Sequence, residues 1–413
     1  MGEYPNDLKK TVLKKLEERK EAYSLDFSNL EEHHFRKRLE VAFRTILKES
    51  KISLKINEQE ELLSDIISDL LGLGPIDKLL KDSTITEIMV NGPGQVYIER
   101  QGTLELTDVN FRDNERLLFF VEKIISPLGR RLTELEPYVD ARLKDGSRVN
   151  IIGPPVSAIG PIVTIRKFSH RILNIDDLIR LGSLNAEAAE FLKTCVRARV
   201  SILICGGAGS GKSTLLNILA AFVPSSERII AIEDTRELSF HHNHALYLET
   251  RTPNIEGKGE ITIRELVKNS LHMRPDRIIV GEVRGDEVLD MVQAMNTGHD
   301  GSMCTLHANS PIEAMDRLEV LALMGNVNLS SEVAKRQIIN ALELVVHTAR
   351  FLDGSRKITQ ISQILKSREY ELQDLFVFDH EEKRLKSTGN TPLFSAKFTR
   401  VADNVSKQTE PGQ

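Results

Sequence analysis

Residues 206–214, GGAGSGKST, restrict the fold of this chain more than any other stretch. The apolar run VSILICG (200–206) leads into them, and the residues that follow have the pattern of a helix. This is the phosphate-loop spacing, in which glycines let backbone N–H groups face a triphosphate and the helix N-terminus adds partial positive charge. A chance glycine-rich turn is the alternative, but the lysine, the hydroxyl and both flanking elements favour the loop. The stretch therefore predicts a nucleotide site.

The predicted loop gives roles to individual residues. Lys212 is expected to reach the β and γ phosphates, and Ser213 is expected to ligate Mg²⁺ through its hydroxyl. The expected ligands are therefore ATP and Mg²⁺. The predicted nucleotide-binding residues are Gly207, Ala208, Gly209, Ser210, Gly211, Lys212, Ser213 and Thr214.

Strand and helix patterns alternate through residues 186–395. Apolar runs at 200–206, 228–234, 277–282 and 302–307 read as buried strands, and helical periodicity fills the stretches between them. Strands separated by crossover helices predict a parallel sheet with right-handed connections. We therefore expect an α/β domain with a mostly parallel sheet.

The remainder of the chain predicts further domains, because 413 residues are too many for one ordinary core. Residues 1–60 are rich in Lys, Glu and Leu and predict a small helical bundle. Strand, turn and helix patterns at 61–168 predict a smaller α+β domain. We expect residues 169–185 to be a linker and the polar residues 396–413 to be a tail without fixed structure.

One predicted strand is followed by two residues that are not in the usual order. Ile278, Ile279 and Val280 suit a buried parallel strand, which in nucleotide-binding α/β proteins often ends in a metal-servicing aspartate. Here Gly281 comes next, and the carboxylate of Glu282 follows one position later. The longer glutamate can reach a water in line with the γ-phosphate, and Gly281 is expected to keep the phosphates uncrowded. The alternative is a surface glutamate that happens to follow a strand.

Two other predicted strands also end in ionisable residues. Glu233 and Asp234 close the run at 228–234 and are candidates for a metal contact through water. An acidic turn is the alternative for this pair. His307 closes the run at 302–307 and is a candidate to bond the γ-phosphate or to relay its departure to a neighbouring subunit. A lone histidine is more often only a satisfied polar residue.

Ordered motifs along the chain resemble one protein family. They are GGAGSGKST, IEDTREL, GEVRGDEVLDMVQAMNTGHDGS and TLHANSP. Together they resemble the secretion ATPases of type II and type IV systems, and most of all the CpaF-like branch that powers tight-adherence (Tad/Flp) pili. In the N-terminal half, GLGPIDKLL, ITEIMVNGPGQVYIER and DARLKDGSRVN are similar to the same branch.

The resemblance implies a hexameric ring whose nucleotide lies between an N-terminal domain and a RecA-like domain. It assigns Glu233 and Asp234 to the family's Asp box. The predicted metal ligands are Ser213 and Asp234. The resemblance assigns Glu282 to the modified Walker B motif and His307 to the His box.

Two arginines receive their role only from the resemblance. Arg142 and Arg148 flank a KDG turn and match arginines that the family's N-terminal domain points at the phosphates. Such arginines neutralise transition-state charge. From the residues alone, both are as readily surface arginines of a hairpin. The predicted catalytic residues are therefore Glu282, Glu233, Lys212, His307, Arg142 and Arg148.

Location and partners follow in part from composition. No apolar stretch reaches the roughly 20 residues that span a bilayer, and no signal-peptide pattern begins the chain. We expect a cytoplasmic protein. The resemblance implies a homohexamer at the inner face of the cytoplasmic membrane, held there by inner-membrane pilus platform proteins similar to TadB and TadC.

Two other functions remain open. A nucleic-acid translocase is disfavoured because the formal charge is -5 and no basic, aromatic-interleaved groove is evident, so we expect no nucleic-acid partner. A scaffold that does not hydrolyse nucleotide would be expected to lack Lys212 or Glu282, and both are present. His241, His242 and His244 have no carboxylate or cysteine at metal spacing and are expected to form a solvated loop.

Overall fold

A computed structural model describes residues 6–19, 32–70, 73–100, 102–143, 145–167, 174–251, 253, 258–325 and 329–399. The chain divides into two compact units, residues 1–169 and 170–413. The start of the predicted linker, 169–173, lies outside the described residues, as do residues 400–413 of the predicted tail.

Amphipathic helices begin the described part of the first unit. They are α1 (Asn6–Glu18), α2 (Glu32–Glu49) and α3 (Ile56–Leu70). Their apolar residues recur at helical spacing, so Leu16, Phe43 and Leu62 come together in one buried cluster. Helix α3 crosses the boundary predicted at residue 60, and its Leu62 and Ile66 pack with the first two helices.

The six strands described in the first unit form one antiparallel sheet in the order β3-β2-β1-β6-β5-β4. Alternate side chains are buried, as Val149 and Ile151 are on β5, because one sheet face covers an apolar core. The elements are α4 (Asp77–Lys81), β1 (Ile85–Asn91), β2 (Val96–Arg100), β3 (Thr103–Leu106), α5 (Asn114–Ile125), β4 (Tyr138–Arg142), β5 (Arg148–Ile152) and β6 (Ile162–Arg166).

The second unit is built on a larger sheet. Its helices are α6 (Ile175–Arg180), α7 (Ala186–Arg197), α8 (Lys212–Ala220), α9 (Ile263–Ser270), α10 (Glu287–Asn296), α11 (Pro311–Met324) and α12 (Ser331–Ala341). Its strands are β7 (Ile202–Gly206), β8 (Ile229–Glu233), β9 (Ala245–Glu249), β10 (Arg277–Val280), β11 (Met303–His307), β12 (Leu344–Arg350), β13 (Arg356–Ile364), β14 (Leu372–Asp379) and β15 (Arg384–Ser387).

These nine described strands have the order β15-β14-β13-β12-β7-β11-β10-β8-β9. The strands from β12 to β9 pair in parallel, and β13 to β15 add antiparallel strands at one side. Every residue of β7, β8 and β10 is buried, since helices cover both faces. Ile202 and Ile204 join one apolar cluster, and Leu203 and Cys205 join the other.

The predicted α/β class with a mostly parallel sheet is confirmed, although the antiparallel strands β13 to β15 were not expected. Residues 395–399 are helical, and Phe398 packs against the core, so regular structure continues past the predicted tail start at 396. Within the described ranges, the helices are all too short or too polar to cross a membrane.

Candidate active site

The phosphate loop joins β7 to α8. Gly206 ends the strand, and a Cβ at that position would lie 2.2 Å from the Thr348 carbonyl oxygen, so only glycine fits against the neighbouring strand. Gly211 precedes α8 with φ of 98°, a left-handed conformation that favours glycine. Glycines at these two points let the chain turn sharply from a buried strand into a helix.

Lys212 lies inside this loop. The residue is only 6% exposed, and its ammonium donates to Gly206 O at 3.0 Å and to Gly207 O at 2.8 Å. Its Nζ also lies 3.3 Å from His307 Nδ1. A buried cation is stable only when its donors are satisfied, and loop carbonyls and an imidazole satisfy them here.

His307 connects the loop to Glu282. β11 pairs with β7 so that His307 lies opposite Gly206, which brings the ring to the loop. His307 Nε2 is 2.8 Å from Glu282 Oε1. Partial burial, and then the charge of Lys212, lower the pKa of His307. A neutral ring that donates from Nε2 to Glu282 and accepts at Nδ1 from Lys212 fits both partners.

Arg284 continues this series of contacts. Its Nη2 donates to Glu282 Oε2, and its Nη1 lies 3.3 Å from Asp234 Oδ2. The bond to Glu282 is the main cause that raises the pKa of Arg284. Lys212, His307, Glu282, Arg284 and Asp234 therefore form one continuous chain of polar contacts.

Glu233 lies beside this chain but points into the protein. Its carboxylate accepts from the backbone N–H groups of Glu237 and Leu238 at 3.0–3.2 Å. A Cβ on Gly281 would lie 2.6 Å from Glu233 Cγ. Glycine at position 281 therefore also leaves room for the Glu233 side chain, and the expectation that it keeps the phosphates uncrowded stays a prediction.

The other predicted loop residues differ in exposure. Gly207, Ala208 and Gly209 are exposed, as is Thr214, whereas Ser213 is half-buried in the first turn of α8. Ser210 is buried, and its Oγ lies 2.8 Å from Thr348 Oγ1. The exposed residues 207–209 leave this part of the loop open to solvent.

Arg142 and Arg148 lie in the other unit. They face each other across the β4–β5 pair, and Arg148 also lies opposite Arg166 on β6. Directly opposed residues share a sheet face, so the three arginines form a row. Arg142 Nε donates to Gly146 O at 3.2 Å.

Several residues of this site were not predicted. Arg284 follows Glu282 by two positions, so its spacing was a signal that could have found it. Thr348 and Arg356 come from the β12–β13 hairpin, and Arg356 Nε donates to Gly209 O at 2.8 Å. More than 130 positions separate that hairpin from the loop it contacts, and no local pattern reports such a contact.

The residues fit a magnesium nucleotide. Mg²⁺ in phosphoryl-transfer sites uses one or two protein oxygens together with phosphate oxygens. The Ser213 hydroxyl and the Asp234 carboxylate could supply oxygen ligands of that kind. In the portion of the chain that the structure covers, no three His, Cys, Asp or Glu side chains form a metal cage of their own.

Two of the three histidines that were expected in a solvated loop have hydrogen-bond partners. His242 Nε2 is 3.0 Å from Pro224 O, and His244 Nε2 is 2.6 Å from Arg228 Nη1. Cys304 is buried in β11, and burial raises the pKa of its thiol. These residues lie apart from the contacts that begin at Lys212.

Known proteins resemble this chain over most of its length. A family model described as "Type II/IV secretion system protein" matches residues 69–377. A Mycobacterium tuberculosis protein, provisionally named a conjugal transfer protein, is 34% identical over 317 residues, which are 75% of this chain and 89% of the relative. The type IV secretion system protein VirB11 of Bartonella quintana is 29% identical over 332 residues, covering 71% of this chain and 92% of the relative.

A solved structure extends the likeness to the fold. The crystal structure of the pilus retraction motor PilT with bound ADP superimposes with a TM-score of 0.53. The superposition covers 81% of this chain and 88% of that chain at 18% identity. At this identity the likeness concerns the fold alone.

Proposed function

The chain belongs to the type II/IV secretion system protein family, and on that premise we propose that it is an ATPase motor of the CpaF-like branch. In this proposal a homohexamer hydrolyses ATP to power assembly or retraction, or both, of a Tad/Flp-type pilus or a related secretion machine. The observation that carries the proposal is the continuous contact between Lys212, His307 and Glu282 at the end of the phosphate loop.

Lys212 is the proposed phosphate-binding cation. Its ammonium now contacts two neutral carbonyl oxygens of the loop. Phosphate oxygens are stronger acceptors for an ammonium because the hydrogen bond is charge-assisted. We expect the ammonium to turn from Gly206 and Gly207 to the β and γ phosphates when ATP binds.

Glu282 is the proposed group that orients the attacking water. Its carboxylate lies one hydrogen bond from His307, which itself contacts Lys212. The neutral ring donates to Oε1, and the carboxylate can accept the proton that the attacking water gives up. His307 would thereby hold Glu282 in place beside the γ-phosphate.

The two residues of the Asp box have different proposed roles. When bound, Mg²⁺ neutralises charge on the phosphate oxygens, and Ser213 and Asp234 would hold it. Glu233 is proposed to act at a distance, because its carboxylate organises the backbone at Glu237 and Leu238. In this proposal Glu233 holds the backbone turn that follows Asp234.

Arg142 and Arg148 are proposed to neutralise charge on the transferred phosphate. Their common sheet face with Arg166 concentrates positive charge in the first unit. Glu87 lies opposite Arg166 at the end of this row, with its Oε1 3.9 Å from Arg166 Nε. Guanidinium groups bind phosphate oxygens through paired N–H donors, which supports a phosphate role for Arg142 and Arg148.

Partners and location complete the proposal. The motor would lie in the cytoplasm at the inner face of the cytoplasmic membrane, attached through platform proteins similar to TadB and TadC. Magnesium-dependent ATP hydrolysis, measured together with particle mass by light scattering, tests the core of the proposal. We expect hydrolysis and a particle of six chains with nucleotide. A monomer that does not hydrolyse ATP would contradict it.

A second candidate is a machine for conjugal transfer. The similar protein of Mycobacterium tuberculosis carries that provisional name. Pilus counts in a strain that lacks the gene separate the two machines. Loss of pili supports assembly and excess pili support retraction, whereas unchanged pili with lost plasmid transfer favour conjugation. Steeply salt-dependent DNA binding by the purified chain would favour a nucleic-acid translocase instead.

A further inference from the structure

The β12–β13 hairpin runs beside the phosphate loop. β12 pairs in parallel with β7, and Thr348 lies opposite Gly206, where the loop begins. Both strands therefore approach the same sheet edge, and the hairpin continues past it. Arg350 and Arg356 face each other across the hairpin just beyond this point.

Two hairpin residues contact the loop, and Arg350 lies beside it. Arg356 Nε donates to Gly209 O at 2.8 Å, and Thr348 Oγ1 lies 2.8 Å from Ser210 Oγ. A Cβ on Gly209 would lie 3.6 Å from Arg350 Nη1. The contacts made by Arg356 and Thr348 thus fall on consecutive loop residues.

The contact from Arg356 supports the loop from outside. A phosphate loop turns its N–H groups toward the ligand, so its carbonyl groups need donors on the other side. The guanidinium of Arg356 supplies one to Gly209, which has φ of +66°. A charge-assisted bond to that carbonyl holds the Gly209 peptide in the orientation that the loop requires.

The backbone of the same arginine contacts a second segment. Ser183 Oγ donates to Arg356 O at 2.7 Å, and Ile358 N donates to Ser183 O at 2.8 Å. Lys357 Nζ donates to Gly182 O at 3.0 Å. The turn at 182–183 follows α6 and lies in the segment predicted to be the linker.

We propose that Arg356 is a positioning residue for the phosphate loop, and that it couples the loop to the 182–183 turn. Its side chain fixes the Gly209 peptide, and its carbonyl holds Ser183. The inference rests on the proposed binding of nucleotide at the loop. A nucleotide that orders the loop should therefore also order the 182–183 turn.

The first test measures nucleotide binding by the full chain. Arg356→Ala should raise the Kd and the KM for magnesium ATP about tenfold, because one charge-assisted hydrogen bond to the loop is lost. The kcat should change less than about threefold, because no reacting atom is touched. Arg384→Ala is the matched control, since Arg384 is an exposed arginine of the same sheet that contacts Glu382. Equal Kd values for the two variants would overturn the inference.

A conservative variant covers the case in which Arg356→Ala does not fold. Arg356→Lys keeps the charge but loses the Nε donor and the planar fork. It should give a Kd between the wild-type and alanine values, or several-fold above wild type if the alanine variant cannot be purified. A lysine variant with wild-type Kd and KM would show that the guanidinium does not position the loop.

The second test measures the coupling by hydrogen exchange. Saturating ATP should slow amide exchange at 181–184 and at Ile358 in the wild-type chain. Ser183→Ala should keep the wild-type Kd but reduce this protection, since it removes the bond to Arg356 O while the bond from Ile358 N to the residue 183 carbonyl remains. Full protection in Ser183→Ala would refute the coupling. Failure of the wild-type chain to bind ATP would refute the proposed function itself.

Discussion

Charged side chains at the two edges of the nine-stranded sheet differ in burial and in pairing. At the amino edge, where the parallel strands begin, Arg277 is 0% exposed. Its Nε donates to Glu227, and its Nη groups donate to Gly301 O and Val196 O at 2.9 Å. Burial lowers the pKa of Arg277, and the bonds to Glu227 oppose that effect. This edge holds its charge in a closed set of bonds.

At the carboxyl edge Lys212 is buried, but the side chains that follow it in the contact series are partly open to solvent. Side-chain exposure is 21% for Glu282, 37% for His307 and 56% for Arg284. Their contacts are single hydrogen bonds to neighbours that also ionise. A ligand can replace such contacts at small cost, whereas removal of one partner from a buried ion pair leaves a charge without compensation.

The difference indicates that the carboxyl edge is the better candidate for binding a ligand. Hydration and exchange of partners are needed where a ligand enters, and closed ion pairs are suited to holding the sheet together. A cavity of about 1320 Å³ opens at the amino edge, lined among others by Glu227 and Asn243. This cavity lies at the edge opposite the phosphate loop.

The largest expected effect comes from Lys212 at the carboxyl edge. Lys212→Ala should lower ATP turnover by at least about 10³-fold and weaken nucleotide binding, because the loop loses its phosphate-facing cation. The thermal unfolding midpoint without nucleotide should change little. Steady-state hydrolysis and a thermal melt measure the two quantities. Unchanged turnover would remove this loop from the mechanism.

The amino edge should respond in stability and not in turnover. Glu227→Gln should lower the free energy of unfolding by about 3 kcal/mol, because Arg277 keeps its charge in a buried site without a carboxylate. Urea unfolding measures this loss. Turnover per folded molecule should stay within about twofold of wild type. A large loss of turnover without a loss of stability would break the contrast between the edges.

His307 should give a smaller, pH-dependent effect. Its pKa is lowered from the ordinary 6.5, so the ring stays neutral above that pH and gains a proton only below it. Protonation places a second cation beside Lys212 and removes the acceptor at Nδ1. Wild-type kcat/KM should therefore fall as pH decreases below about 6.5, approaching about tenfold per pH unit.

His307→Gln sharpens this prediction, because glutamine cannot be protonated in that range. The variant should lose a few-fold in kcat/KM at pH 8 and show a flatter decline below pH about 6.5. His241→Gln, which changes an exposed histidine, is the control and should keep the wild-type profile. Stability should change in the same direction. The pKa of His307 is lower in the folded chain than in the unfolded chain, so protonation below about pH 6.5 favours the unfolded state and lowers the free energy of unfolding. If both variants show the same loss of kcat/KM at low pH, protonation of His307 is not the cause of that loss.

The sequence predicted the fold class and the sheet edge at which the candidate site residues lie, because both depend on short local sequence patterns. Buried runs ended near Gly206, Glu233, Glu282 and His307, and parallel strands bring their carboxyl ends to one edge. The structure brings Glu282 and His307 into contact with each other, as that rule implies.

The sequence did not predict what depends on distant pairing. Thr348 and Arg356 reach the loop only because β12 adds beside β7, and their own neighbourhood has no loop motif. The inward turn of Glu233 depends on how the backbone at Glu237 and Leu238 folds back, which no residue pattern specifies.

One variant tests the central claim most directly. Glu282→Gln keeps the size of the side chain and one acceptor oxygen for His307 or Arg284, but it cannot accept a proton from water. A single-turnover measurement with bound ATP should show wild-type affinity and hydrolysis slowed by about 10²-fold or more. Hydrolysis at the wild-type rate, or loss of ATP binding together with turnover, would contradict the claim that Glu282 acts on the water and not on the nucleotide.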